Sequence, residues 1–532
     1  MERFFNNAGP IQPENHYHID PLTRLDWEEI RHLIAGQRYF VLHAPRQTGK
    51  TSTLLAMMKA LNKEGKYACA YANIEAAQAA RGDATQGIPT ACSAIASSIA
   101  LYLGVPELEA WYRREAQGIE PQERLAGLLR HWTTTTPKPT VLFLDEVDAL
   151  VGDTLISLLR QIRAGYAQRP KDFPQSIVLC GVRDVRDYRI HQGGGEVITG
   201  GSAFNIKTVS LRMGNFSPEE VKALWLQHTE ATGQTFDEAI FPELWEDTAG
   251  QPWLVNDLGY EVTWELREKR DRSQPITLAD YKEARERLIQ SRATHLDQLI
   301  DKLREPRVHS VISALLAGEQ DELNVSPHDY EYVADLGLIR TRPGVRISNR
   351  IYREVIPREL TWAIQIGISN QEQAWYITAD HRLDMPRLLA AFQQFFRENV
   401  EAWIGRFDYK EAGPQLLMQA FLQRIVNGGG RINREYGLGR RRTDLFIEWP
   451  LDEAQGLYGP IQRIVIELKI LRGSLETVIA QGLTQTVGYA ESVGADEAHL
   501  VIFDRATDKS WEEKIWRREE RLGERAITVW GA

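Results

Sequence analysis

Tyr39-Phe-Val-Leu-His-Ala-Pro-Arg-Gln-Thr-Gly-Lys-Thr51 decides the reading of the first half of the chain. The apolar run Tyr39 to Leu42 predicts a buried strand, and Lys50-Thr51-Ser52-Thr53-Leu54-Leu55 predicts the start of a helix over 50–62. Between them lies a short loop. Loop amides that converge with a helix N-terminus make a nest for phosphate. The expected lining is Ala44, Pro45, Arg46, Gln47, Thr48, Gly49, Lys50, Thr51 and Ser52. Lys50 would reach the β- and γ-phosphates, and the Thr51 hydroxyl would lie on Mg²⁺. Ala44 stands where such loops usually begin with Gly, and it serves there if its φ stays negative.

Thr140-Val-Leu-Phe-Leu144 predicts a second buried strand, ending in Asp145-Glu146, 94 positions after Thr51. A carboxylate at such a strand end can hold Mg²⁺ through water, and the next can polarise the attacking water. Asp145 is therefore a candidate metal ligand and Glu146 a candidate catalytic base.

The chain has 532 residues, which predicts two to four domains. Its hydrophobic content of 43% and charged content of 26% are those of a soluble globular protein. A net charge of −10 with pI near 5.8 argues against a general nucleic-acid coat, so nucleic-acid contact would need a local basic patch. Cys69, Cys92 and Cys180 lack the spacing of a metal or disulfide pair and read as small core residues in a reducing cytosol. Neither a signal peptide nor a membrane span is expected, and a cytoplasmic location is.

Residues 1–38 form a lead-in, with a turn at His16-Tyr-His-Ile-Asp-Pro21 and a helix over Trp27 to Leu33. Packing of Tyr17 and Ile19 near a nucleotide base is expected there, in preference to a metal site at the two histidines. Strands at 39–43, 68–74, 140–145, 176–181 and 206–211 alternate with helices, the pattern of a parallel α/β sheet spanning 39–211. Arg183, just past the fourth strand, is a candidate γ-phosphate sensor; its alternative is a salt bridge to Asp184 or Asp187. Residues 212–275 predict a helical lid, opened by Ser217 as N-cap with Pro218 in the first position. Gly250-Gln251-Pro252 would bring Pro252 against the adenine.

Taken together, the phosphate loop, Asp145-Glu146, Arg183 and Gly250-Gln251-Pro252 resemble the AAA+/STAND-type ATPases. The likeness is strongest to the prokaryotic AAA-like proteins whose loop reads Ala-Pro-Arg-Gln-Thr-Gly-Lys, and it covers roughly residues 1–270. It implies ATP and Mg²⁺ as cofactors and nucleotide-dependent assembly into homo-oligomers. In such rings a neighbour's arginine completes the site, and Arg160, Arg163 and Arg169 are the candidates.

Residues 276–364 resemble the winged-helix module that follows many such lids, with a wing over Leu338–Arg342 and Val345–Ser348. Arg340, Arg342 and Arg346 are available for phosphates, yet the helix beginning at Ser326 carries three acids and no Lys or Arg. A structural or protein-contact role is expected of it.

Residues 365–532 have another character. Strands are expected over Thr443–Trp449, Arg463–Lys469 and His499–Phe503, with a helix over 474–493. Side chains two apart share a strand face, so Glu467 and Lys469 point one way and Leu468 the other. Asp444, on the neighbouring strand, can meet them. Two carboxylates on Mg²⁺ beside an ammonium suit phosphodiester hydrolysis. Gln485 and Tyr489, four apart, share a helix face, and Arg440, Arg441 and Arg442 supply positive charge. Asp, Glu-x-Lys and Gln-x-x-x-Tyr in this order resemble the PD-(D/E)xK nucleases, in particular their RecB-like branch. The resemblance implies catalytic roles for Asp444, Glu467, Lys469, Gln485 and Tyr489 and adds Glu411 as a further metal ligand. Thr443 stands where that family usually has Pro.

The whole reads as an AAA+ ATPase core with lid, winged helix and nuclease-like domain: an ATP-controlled, Mg²⁺-dependent nuclease acting on nucleic acid, DNA favoured. Similar domain pairings place such chains in antiviral defence or mobile-element control. The alternative is a STAND-like regulatory ATPase whose C-terminal domain binds a partner or nucleic acid without cutting it.

Overall fold

The structure is a computed structural model. It describes residues 3–182, 189–191, 197–199, 207–290, 302–303, 305–317, 326–342, 344–360, 376–404, 418, 421–422, 430–435, 444–452, 455–456, 459–504, 506 and 508–532. Two compact units divide the chain: residues 1–295 with 331–339, and residues 296–330 with 340–532.

In the first unit the strands β1 (Tyr39–His43), β2 (Ala68–Asn73), β3 (Thr140–Asp145), β4 (Ser176–Gly181) and β5 (Lys207–Arg212) form one sheet in the order β2-β3-β4-β1-β5. Every neighbouring pair is parallel. Parallel strands need crossovers, and the helices making them cover both faces. Phe40 and Leu42 of β1 pack on one face with Leu54, Met57, Met58 and Leu61 of the helix Lys50–Glu64. That spacing of three and four residues makes a single apolar stripe. Tyr39 and Val41 face the other layer, where helices Ala84–Leu103, Pro121–Thr135 and Gly152–Gly165 supply Ile88, Ile95, Leu128 and Leu158. Each fully buried aliphatic side chain contributes about 1.5–3 kcal/mol. All three cysteines are free and buried, as core residues.

A helical layer follows the sheet. Ser217 caps the helix Pro218–Thr232 in a reciprocal capping box with Glu220, as Ser217-Pro218 predicts. Helices Ile240–Thr248 and Pro252–Tyr260 complete it. The lead-in is tied to this layer: Phe4–Phe5 pairs with His16–Tyr17, and the Phe5 ring packs 5.8 Å from Trp225. Tyr17 Oη lies 3.1 Å from His228 Nδ1.

Residues 331–339 fold with this first unit, so the expected 276–364 module does not separate as one block. The reason is local. A Cβ at Gly337 would fall 2.8 Å from Pro45 Cγ, and Arg212 Nη2 donates to the Ala334 carbonyl at 2.8 Å. The expected wing is present as Ile339–Arg340 paired with Arg346–Ile347.

The second unit holds a six-stranded mixed sheet. Its strands are β6 (Arg431–Glu435), β7 (Asp444–Pro450), β8 (Ile461–Ile470), β9 (Glu497–Phe503), β10 (Trp516–Leu522) and β11 (Arg525–Gly531). The order is β6-β7-β8-β9-β11-β10, with β8, β9 and β11 parallel and the outer strands antiparallel. One face packs Ile464, Ile466 and Leu468 with helix Met385–Ile404; the other packs Val465, Leu500 and Ile502 with helix Leu475–Val493.

Candidate nucleotide and metal sites

The strand order sets the first site. β4 lies between β1 and β3, so the loop after β1 and the acids ending β3 meet at one edge of the sheet, where open α/β sheets bind ligands. Gly49 takes φ +91° as the residue before the helix, a conformation that costs glycine little. Gln47 also has positive φ, at 56°, whereas Ala44, in the position usually held by Gly, is not among the residues of positive φ. Lys50 is buried, and its Nζ donates to the Ala44 and Pro45 carbonyls at 3.1 and 3.0 Å, spanning the loop it would neutralise. Thr48 donates to the Pro45 carbonyl at 2.7 Å and closes the turn. Arg46 is exposed. Ser52 Oγ accepts from the Ile11 amide at 3.0 Å.

Thr51 Oγ1 donates to Asp145 Oδ2 at 2.7 Å, and Asp145 is wholly buried. The hydroxyl and carboxylate that would share a magnesium ion are therefore already in contact. The next residue, Glu146, has φ 59°, which turns it away from the strand direction. Burial pushes its carboxyl upward, Asp148 and Asp145 add to the rise, and Lys50 and Arg46 oppose it. A carboxyl so raised is better matched to accepting a proton near neutral pH.

A cleft of about 750 Å³, open mouth included, adjoins the loop. Gln47, Gly49, Ser52, Tyr17, Ile19 and Pro252 are among its lining residues. Sequence reasoning missed Arg24, another lining residue. Its Nη1 donates to the Thr48 carbonyl at 3.2 Å, and its guanidinium lies 4.5 Å over the Phe216 ring. Burial lowers its pKa to about 10. No local pattern around an arginine in a turn announces such a role. Arg183 lies outside the described residues. Arg169 is engaged within its own chain, stacked 3.3 Å over Tyr166, while Arg160 and Arg163 are at exposed positions.

In the second unit Glu467 and Lys469 share the β8 face turned to helix Leu475–Val493, because Leu468 packs in the opposite core. Lys469 Nζ donates to Glu467 Oε1. Glu467 is 2% exposed, and its Oε2 has no hydrogen-bond partner among the described residues. Burial raises its carboxyl and Lys469 counteracts that. A buried carboxylate oxygen left open beside an ammonium fits a cation as its missing partner. Gln485, from the facing helix, likewise has a buried Oε1 without a hydrogen-bond partner among the described residues, and Tyr489 follows one turn later. The pairing of Leu445 with Ile466 puts backbone position 444 across from 467, and Phe446, two residues on, packs on that same face. Among the described residues no group of three His, Cys, Asp or Glu side chains forms a metal site. Glu411, the side chain of Asp444 and Arg440, Arg441 and Arg442 lie outside them. No described helix is long and apolar enough to cross a membrane.

No family model matches the chain, and no curated protein matches it either. Among solved structures it is similar to a Walker-type ATPase of Pyrococcus abyssi, at 15% identity over 66% of this chain and 99% of that one, with TM-score 0.46. It is similar also to the ORC2 protein of Aeropyrum pernix, in ADPNP–ADP complexes, at 14% identity over 68% and 96% of the two chains, TM-score 0.40. A third is the RuvB Holliday junction branch migration motor of Thermotoga maritima, at 12% identity over 64% and 98%, TM-score 0.33.

Proposed function

We propose that this chain is an AAA+/STAND-type ATPase of the cytoplasm whose nucleotide cycle governs a Mg²⁺-dependent PD-(D/E)xK nuclease domain acting on nucleic acid, with DNA favoured. The observation that carries the ATPase half is the 2.7 Å contact between Thr51 and Asp145, beside a buried Lys50 that spans the loop. Lys50 and the loop amides hold the phosphates. Thr51 and Asp145 hold Mg²⁺, which when bound offsets phosphate charge. Glu146 orients the attacking water and takes its proton. Tyr17, Ile19 and Pro252 enclose the base. Arg160 or Arg163 of a neighbouring copy completes the site in an ATP-dependent oligomer, and Arg183 senses the γ-phosphate.

The nuclease half is supported by Glu467, buried beside Lys469 with one oxygen unpartnered among the described residues and facing the helix of Gln485 and Tyr489. Asp444, Glu467 and Glu411 hold the metal, and Lys469 holds the water or the charge that develops on the phosphate. Gln485 and Tyr489 orient these groups and the strand. Antiviral defence or mobile-element control is the proposed setting. Pure full-length protein incubated with plasmid DNA or RNA, with and without ATP, in Mg²⁺ or Mn²⁺, tests the reading. Divalent-dependent cutting supports it. Nucleotide turnover with no cutting of either polymer in any nucleotide state leaves a regulatory ATPase with a binding domain.

A further inference from the structure

Tyr71 lies on β2, beside the strand that carries Asp145, and belongs to the buried core on one face of the sheet. Its hydroxyl is not spent in that core: it donates to Asp145 Oδ2 at 3.0 Å. The same oxygen accepts from Thr51 Oγ1 at 2.7 Å, and Oδ1 accepts from the Glu146 amide at 3.0 Å. Three donors from three elements thus fix one fully buried carboxylate. Thr51 belongs to the phosphate loop and the Glu146 amide to the strand end, so Tyr71 is the donor that comes from the neighbouring strand.

We infer that Tyr71 is a positioning residue for the metal-binding carboxylate, holding Asp145 in the rotamer that meets Thr51. The inference rests on the nucleotide reading above and adds to it a residue outside both sequence motifs. Without the Tyr71 hydroxyl, Asp145 keeps the Thr51 contact but loses the restraint from β2. The carboxylate then samples orientations that do not favour the ion, and a charge-assisted hydrogen bond of this kind is worth roughly a tenfold change in an equilibrium.

Tyr71→Phe keeps the ring, which packs edge-on 6.1 Å from Tyr102, and removes the donor alone. The test measures binding of a fluorescent ADP to the full chain, with Mg²⁺ titrated from zero, for wild type, Tyr71→Phe, Asp145→Asn and the double variant. Expected for Tyr71→Phe is Mg²⁺-free affinity within about twofold of wild type and a Mg²⁺ requirement raised about tenfold. The double variant should be no worse than Asp145→Asn. Wild-type Mg²⁺ dependence in Tyr71→Phe overturns the inference. So does a parallel loss of affinity with and without Mg²⁺ accompanied by a lower thermal midpoint, the mark of a purely structural residue. If wild-type protein binds no nucleotide at all, the underlying nucleotide reading fails, an outcome distinct from an indifferent Tyr71→Phe.

Discussion

Thr51 and Asp145, 94 positions apart, meet through a 2.7 Å hydrogen bond at the carboxyl edge of the parallel sheet. Breaking either partner should strike ion binding before it strikes folding. Thr51→Ala and Asp145→Asn are expected to lower ATP turnover by about a hundredfold, the scale of losing one preorganised electrostatic contact. Lys50→Ala should go further and abolish nucleotide binding. Glu146→Gln should bind ATP and turn it over slowly. Filter binding alongside phosphate release separates these outcomes, and Glu146→Gln turning over at the wild-type rate would refute its catalytic role.

The acid limb of turnover should report Glu146. Its carboxyl is raised by burial and by Asp148, so it becomes protonated, and unable to accept the water's proton, at a pH where an ordinary glutamate is still charged. Turnover should therefore fall on acidification sooner than for an unshifted carboxylate. Asp148→Asn removes a like charge and should move that limb to lower pH. A kcat–pH profile of both proteins checks the sign.

Gly250 has φ +69°, and a Cβ there would lie 2.1 Å from the Phe216 carbonyl oxygen. Its own carbonyl accepts from the Phe216 amide at 2.8 Å, so the two segments cannot part without losing that bond. Gly250→Ala should destabilise the first unit by about 2–4 kcal/mol. Thermal unfolding followed by tryptophan fluorescence measures it.

In the second unit the ion pair and the chemistry can be separated. Glu467→Gln and Asp444→Ala should stop cutting while ATP turnover stays near wild type. Lys469→Met should also stop cutting, and it leaves Glu467 buried without its counter-charge, at a cost of about 3 kcal/mol. A carboxyl with a raised folded pKa gives up stability as pH rises through that value, so this loss should be larger at pH 8 than at pH 5. Urea titrations at the two pH values test the sign.

Assembly is the fifth expectation. An ATP analogue should raise the mass of the full chain in light scattering, and Arg160→Ala combined with Arg163→Ala should reduce turnover without blocking binding. A mass unchanged across apo, ADP and analogue samples would remove the proposed neighbour's arginine.

Much of the first site was legible because its signals are local. A strand, a glycine of positive φ and a helix within 26 residues, Tyr39–Glu64, leave little freedom, and Asp145-Glu146 ends a plainly apolar strand. The five strands of the first sheet fall where the apolar runs put them, to within a residue or so at each end. Contacts made by folding were not legible. Arg24 and Tyr71 have ordinary neighbours in sequence, and their partners lie 24 and 74 positions away. In the second unit the alternation around Glu467 and Lys469 gave the face correctly, since period two needs no tertiary knowledge. The closing hairpin β10–β11 was passed over, because Trp516–Leu522 is an exposed edge strand crowded with Arg and Glu.

The phosphate loop also has a back wall supplied from far along the chain. Gly337 rests on Pro45, and Asp335 lies within 3.9 Å of His43 and 3.8 Å of Arg212. A gene cut near residue 290 would deliver the loop with that wall removed. The first unit is thus no portable cassette: recombination that swaps the C-terminal portion must carry residues 331–339 along or re-evolve what touches Pro45.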